Sequence, residues 1–308
     1  MSIDLSETLV IGISSRSLFD LEVENQLFEQ QGLDAYRAFQ IAHEDEPPGP
    51  GTAFHLVEGL LSLNGESGAA VPPRVEVVIL SRNDAGIGLR LFNAIKRHGL
   101  EGKVTRAAFT SGASLVSYLE AFSVDLFLSK STVDVQEAVN AGFAAALIQE
   151  PPEGFLPDKD VIRLAFDGDA VIFSDEAERI YKERGLEAFA EHERQQARHV
   201  LPEGPFGRLL KTLSAMQKHC PPEQRPVRIA LVTARSAPAH ERVIRTLRAW
   251  EVDIDEAFFL GGLPKEPVLK AFRAHIFFDD QDAHVEPAAR SVPSAKVPYI
   301  DRIEDQNE

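Results

Sequence analysis

The segment SRSLFDLEVENQLFEQQGLDAY (15–36) aligns without gaps on GDAVIFSDEAERIYKERGLEAF (168–189), 153 residues later. Two more blocks follow in the same order. ILSRNDAGIGLRLFNAI (79–95) lies on LVTARSAPAHERVIRTL (231–247) at an offset of 152, and AAFTSGASLVSYLEAFSVDLFLSK (107–130) on AFFLGGLPKEPVLKAFRAHIFFDD (257–280) at 150. Three blocks in one order at a near-constant offset read as two copies of one supersecondary plan, the bland alternative being that βα units resemble one another. Short apolar and β-branched runs recur at 9–14, 75–80, 125–129, 161–166, 228–233 and 275–280. Helical spacing lies between them, as in HERVIRTLRAW (240–250), where Val243, Ile244, Leu247 and Trp250 are expected to share a face. Strands alternating with helices predict an α/β fold with parallel sheets covered on both sides. The Pro- and charge-rich QEPPEGFLPDKD (149–160) divides the chain, so two domains are expected, 1–150 and 151–308.

The copies differ in one respect. Where the second has Asp167 and Asp169, the first has Ser14 and Arg16; where the second has Asp279 and Asp280, the first has Ser129 and Lys130. Acids that merely decorate strand ends should appear in both copies. Their loss from one constellation predicts a working second half and a first half that keeps the scaffold without the chemistry. In an open parallel sheet ligands bind at the carboxyl ends of the strands, where Asp167, Asp169, Thr233, Lys265, Asp279 and Asp280 all fall. Taken singly these are ordinary: an Asp-x-Asp is a common cap or surface-loop pattern, Thr233 a strand-end hydroxyl, Lys265 a helix-start lysine, and Asp279–Asp280 a helix cap favoured by the dipole. Their order and joint placement make them a candidate site.

Charge narrows the partners. The chain of 308 residues has 48 acidic and 32 basic residues, a formal net charge of −16, which disfavours nucleic-acid polymers and anionic membranes. A small phosphorylated substrate remains compatible, because a bound cation reverses the field locally. The single cysteine, Cys220, excludes an intramolecular disulfide and a Cys-based zinc cluster. The N-terminus lacks a signal-peptide pattern and no apolar run approaches the roughly 20 residues of a membrane span, so a soluble, cytoplasmic protein is expected.

The set DGDAV, LVT, Lys265 in GGLPKEPVL, and FFDD resembles the four motifs of the haloacid dehalogenase superfamily of phosphohydrolases. The longer stretches SRSLFDLE, AHEDEPP, FDGDAVIFSDE, LVTARSAPAHERVIRTLR, AFFLGGLPK and HIFFDDQ are similar to the cytosolic 5'-nucleotidase I family, including its bacterial members, over residues 8 to about 300. The resemblance implies two tandem Rossmann-like halves, the first degenerate, and a helical cap inserted at about 177–225. It implies Mg²⁺-dependent hydrolysis of nucleoside 5'-monophosphates, AMP above all, and a homo-oligomer. In that reading Asp167 attacks phosphorus, Asp169 is general acid and base, and Thr233 and Lys265 bind the phosphoryl oxygens. Asp167, the main-chain carbonyl of Asp169, and Asp279 or Asp280 hold the metal, since Mg²⁺ takes oxygen ligands.

Beyond this core, Arg235, Ser236 and His240 in TARSAPAHER are candidates for phosphate or ribose contact or for capping the next helix. Ser174, Asp175 and Glu176 read as a helix start, Arg16 as a structural or ligand-binding cation, and Cys220 as an unreactive thiol. The other histidines lack metal-ligand spacing, and the Gly-x-Gly at 86–88 is too isolated for a dinucleotide site. Two other readings keep the same residues: a phosphatase of another small monoester such as a sugar phosphate, or a nucleotide-binding regulatory protein with vestigial catalysis. The first half is read as serving the fold, an interface or an effector site such as one for a nucleotide.

Overall fold

The computed structural model describes residues 8–65, 74–150, 152–155, 158, 161–218, 221 and 225–300; Cys220 lies outside them. The chain divides into two compact units, Met1–Ile148 and Gln149–Glu308. The first contains β1 (Leu9–Ile13), α1 (Ser15–Leu18), α2 (Glu22–Ala42), α3 (Phe54–Ser62), β2 (Val75–Ser81), α4 (Gly88–Arg97), β3 (Arg106–Phe109), α5 (Val116–Ala121), β4 (Leu126–Ser129), α6 (Thr132–Asn140) and β5 (Ala145–Ile148). The second contains β6 (Ile162–Phe166), α7 (Glu176–Gln195), α8 (Gly207–Gln217), β7 (Val227–Thr233), α9 (His240–Ala249), β8 (Glu256–Phe259), α10 (Glu266–Phe272), β9 (Ile276–Asp279), α11 (Asp282–Ala289) and β10 (Ser294–Lys296).

Strand order is β3-β2-β1-β4-β5 in the first unit and β8-β7-β6-β9-β10 in the second, every pairing parallel. In both, the first strand is central, flanked by the second and the fourth, so loops after these strands converge on one end of the sheet. The central strands are apolar on both faces because helices cover both. Val10, Val78, Leu80 and Phe127 form part of one core, and Ala165, Ala230, Val232, Leu269 and Phe277 part of the other. Of the helix face expected at 240–250, Val243 and Leu247 are buried, but Ile244 is 37% exposed. The buried stripe runs through Val243, Thr246 and Leu247 instead.

Local geometry recurs between the units at equivalent positions. The helices after the first strands, α2 and α7, bend at Gly32 (φ 81°, ψ −174°) and Gly185 (φ 80°, ψ −179°), a backbone region essentially confined to glycine. After each helix the chain returns to bridge the loop beyond the first strand, Phe19 with Pro50 and Phe173 with Glu203. The next residue is glycine in both. A Cβ on Gly51 would lie 2.8 Å from the Ser17 carbonyl oxygen, and one on Gly204 would lie 2.2 Å from that of Phe173 and 2.5 Å from that of Val171. Backbone cannot yield as a side chain can, so Gly204→Ala is expected to cost about 1–3 kcal/mol or more. Urea unfolding measures it, and an unchanged midpoint would show that the bridge is dispensable.

A buried histidine supplies a pH-dependent element in the second unit. His275 accepts from the Arg163 amide at 3.1 Å through Nδ1, and its Nε2 donates to the Asp158 carbonyl at 2.8 Å. The equivalent role in the first unit falls to Asp125, which accepts from the Val10 amide at 2.9 Å. Burial pushes His275 below its ordinary value of 6.5, against the Asp158 carbonyl, which favours the charged ring. A depressed pKa contributes stability that is present above the unfolded value and lost as pH falls below it. The melting temperature is therefore expected to drop from pH 6.5 toward pH 5, with a smaller drop in His275→Gln. Equal drops in both proteins would assign the acid sensitivity elsewhere.

Candidate active site

Asp167 follows the last residue of β6 in extended conformation (φ −68°, ψ 164°), and its amide donates to the Phe278 carbonyl at 2.8 Å. The chain then winds through a single π-type turn, Gly168–Ile172, in which Ala170 takes φ 60°. Residues two apart in a strand share a face, and the turn that begins directly after Asp167 takes Asp169 out of that geometry, so the two acids meet different partners. Thr233 is the last residue of β7, Asp279 the last of β9, and Lys265 directly precedes α10. A Cβ on Gly168 would meet the Thr233 hydroxyl at 3.3 Å, so the two loops are in close contact. The Thr233 hydroxyl also accepts from the Arg235 amide at 3.2 Å.

Lys265 bridges the acids. Its Nζ lies 2.6 Å from Asp167 Oδ1 and 2.6 Å from Asp279 Oδ2, with the side chain buried. Burial works against the ammonium, but the two carboxylates hold it above its ordinary pKa. Asp167 is pushed up to about 7, chiefly by burial, with Lys265 opposing and Asp279 and Asp169 adding repulsion. Asp280 is pushed up to about 9 by burial and by Asp167, Asp279 and Glu178. Burial also raises Asp279, against Lys265.

Lys265 is one positive charge among three buried carboxylates. Asp167, Asp279 and Asp280 each offer an oxygen within 4.8 Å of the others, the one such group of metal-binding side chains among the described residues. Asp280 Oδ1 is buried without a hydrogen-bond partner. An orphaned carboxylate oxygen in an all-oxygen cluster fits a hard divalent cation such as Mg²⁺. The carboxylate of Asp169 is not in this group.

Asp169 belongs instead to a buried ionic chain. Arg235 donates to it twice, from Nε at 2.8 Å and Nη2 at 2.6 Å, and from Nη1 to Glu193. Glu193, wholly buried on α7, also accepts from Arg242 at 2.8 Å, and Arg242 Nε donates to the His199 carbonyl at 3.1 Å. Arg235 thus grips the acid rather than facing open space. Ser236 is exposed beside Gly261 and joins no cluster, and His240 lies edge-on to Phe259. Asp175 precedes α7 at its N-cap position, with Glu176 its first residue.

Three acidic-network residues escape the motif pattern. Glu178 and Tyr299 meet near Asp280: the Tyr299 hydroxyl is 2.8 Å from Glu178 Oε2 and bonds Asp280 as well. Glu193 is hidden in the charged run EHERQQ, which reads as a solvated face. The repeat holds the one usable signal. Arg90 and Arg242 occupy equivalent positions, and each bonds the equivalent α2 or α7 residue, Gln40 or Glu193, and the equivalent carbonyl, Glu46 or His199.

The fold and site define an α/β protein with a lysine-bridged carboxylate cluster at the strand ends. Residues 1–304 match the family profile described as 5'-nucleotidase, and the chain belongs to that family. It is 36% identical over 290 residues to the cytosolic 5'-nucleotidase 1B of Homo sapiens, an alignment covering 92% of this chain and 47% of that protein. The chain therefore spans about half the length of the curated relative it matches. Among solved structures, the Pnkp1/Rnl/Hen1 complex aligns with 96% of this chain and 97% of its own at 12% identity and a TM-score of 0.32. Histidinol dehydrogenase from Elizabethkingia anophelis aligns with 94% of this chain and 79% of its own, at 9% identity and a TM-score of 0.22. Neither likeness is close enough to bear on fold or function. Among the described residues, no helix is long and apolar enough to cross a membrane.

Proposed function

We propose that the chain is a cytoplasmic, Mg²⁺-dependent 5'-nucleotidase that releases phosphate from nucleoside 5'-monophosphates such as AMP. The observation that carries this reading is the convergence of Asp167, Asp279 and Asp280 on one 4.8 Å cluster bridged by Lys265, in a chain of the 5'-nucleotidase family. The two units are read as tandem haloacid dehalogenase-like halves, 1–150 structural or regulatory and 151–308 catalytic. The segment at about 177–225 is the cap that shields the site from water. A homo-oligomer belongs to the same reading.

Asp167, Asp279 and Asp280, with the main-chain carbonyl of Asp169, would hold Mg²⁺, which when bound offsets the repulsion between a phosphate dianion and the carboxylates. Asp167 attacks phosphorus as the P–O5' bond breaks, forming an aspartyl phosphate. Asp169 gives a proton to the departing 5' oxygen and then takes one from the water that cleaves the acyl phosphate. Arg235 orients Asp169 for both transfers through its two hydrogen bonds. Thr233 donates to a phosphoryl oxygen, and Lys265 balances the negative charge that gathers there.

Phosphate release from a panel of nucleoside monophosphates and sugar phosphates, with Mg²⁺ and with excess chelator, tests the proposal. Metal-dependent release from nucleotides is the expected result. Faster release from sugar phosphates would reassign the substrate, and no release from any ester would leave a nucleotide-binding protein.

A further inference from the structure

The first unit contains a cavity of about 420 Å³ at the carboxyl ends of β1, β2 and β4, the position that the carboxylate cluster occupies in the second. Its size is within the roughly 300–1,000 Å³ of small-molecule sites. Its floor is hydroxylic: Ser14, Ser81 and Ser129 stand where the second unit has Asp167, Thr233 and Asp279. Arg16 stands where Asp169 does, and Lys265 is matched by Leu115. The other wall, from α2 and the turn before it, is apolar and aromatic, with Leu21, Phe28, Leu33 and Tyr36, the two rings edge-on at 5.9 Å.

We propose that this cavity binds a nucleoside phosphate without a metal ion and does not hydrolyse it. A phosphate entering the second unit meets clustered carboxylates and needs a cation; one entering the first meets hydroxyls and a guanidinium. The acids around the cavity are already matched, Glu22 with Arg16 and Lys130, Asp84 with Arg37, and Asp134 and Glu137 with Arg82. The Arg16 side chain reaches Glu22 only through Nη2, at 3.1 Å, and its Nε is buried without a hydrogen-bond partner. Arg16 lines the cavity together with Ser14, Ser81 and Ser129, and a guanidinium among hydroxyls suits an oxyanion, since charge-assisted bonds to phosphate are the stronger kind. The wall of Phe28, Tyr36 and Leu33 suits the planar, apolar face of a base. No carboxylate stands in place of the Asp167 nucleophile, so the bound ester persists.

The test is calorimetric titration of full-length Asp167→Asn protein with AMP in excess EDTA, with adenosine as the control. One binding event per chain is expected, about tenfold or more weaker for adenosine. Arg16→Ser and Phe28→Ala, each added to that chain, should weaken AMP about tenfold; Phe28 is half-exposed, so its truncation spares the fold even if Arg16→Ser does not. In the otherwise natural chain both substitutions should leave metal-dependent phosphate release unchanged. Absence of binding in EDTA, equal affinity for adenosine, or indifference to both substitutions would overturn the proposal. EDTA-resistant binding in a chain that hydrolyses no nucleotide would sink the nucleotidase reading and leave this one standing, and the converse result would do the reverse.

Discussion

Asp167→Asn is expected to lower phosphate release by roughly 10⁴-fold or more, as loss of a covalent nucleophile generally does. The substitution keeps volume and removes one charge from a cluster that holds Asp167, Asp279 and Asp280 within 4.8 Å. Lys265 retains its 2.6 Å contact with Asp279, so it is not left unpaired. The metal-free variant should therefore melt no lower than the natural protein, because a like-charge repulsion has been relieved. Single-turnover phosphate release beside a thermal melt separates the two effects. Appreciable turnover in a folded Asp167→Asn protein would place the nucleophile elsewhere and remove the proposed division of labour between the units.

The second large effect concerns stability. Glu193→Ala is expected to cost about 3–5 kcal/mol, because removing one partner of a buried pair leaves an uncompensated charge. Two guanidinium groups nearly inaccessible to water bond Glu193: that of Arg235, which keeps Asp169, and that of Arg242. The first unit indicates how far a neutral substitute could serve. There Gln40 takes the equivalent position, and Arg90 satisfies its charge on Glu24 instead, so an amide suffices. In the second unit the place of Glu24 is taken by Ala177, and the other carboxylate beside Arg242, Glu176, lies farther off at 3.8 Å. Glu193→Gln should accordingly fall between Ala and the natural residue in urea unfolding. Loss of the clamp also frees Arg235 from α7, so turnover should fall in the folded fraction of either variant. A change under about 1 kcal/mol for Glu193→Ala would mean that water reaches both arginines.

The strands at 9–14, 75–80, 125–129, 161–166, 228–233 and 275–280 were legible within a residue or two, because strands buried on both faces are continuous apolar runs. Four strands were not singled out. β3 and β8 have no buried residue, β10 has only three residues, and β5 is half alanine, which gives a four-residue run little apolar or β-branched signal. Ile244 fell on the wrong side of α9 because a helical stripe is set by what packs on it, and Thr246 took the buried place.

For the site, the sequence by itself determined which residue types stand at the strand ends, through an internal repeat that keeps the scaffold twice and the carboxylates once. That asymmetry needs no coordinates, since equivalent positions share an environment and differ in chemistry. Only the tertiary structure decided which charges meet. It paired Lys265 with Asp167 and Asp279, turned Arg235 onto Asp169 and Glu193, and set Glu178 and Tyr299 beside Asp280, from helices and loops far along the chain. The reason is physical: a buried ion pair is specified by distance and by exclusion of water, and neither is periodic in the sequence.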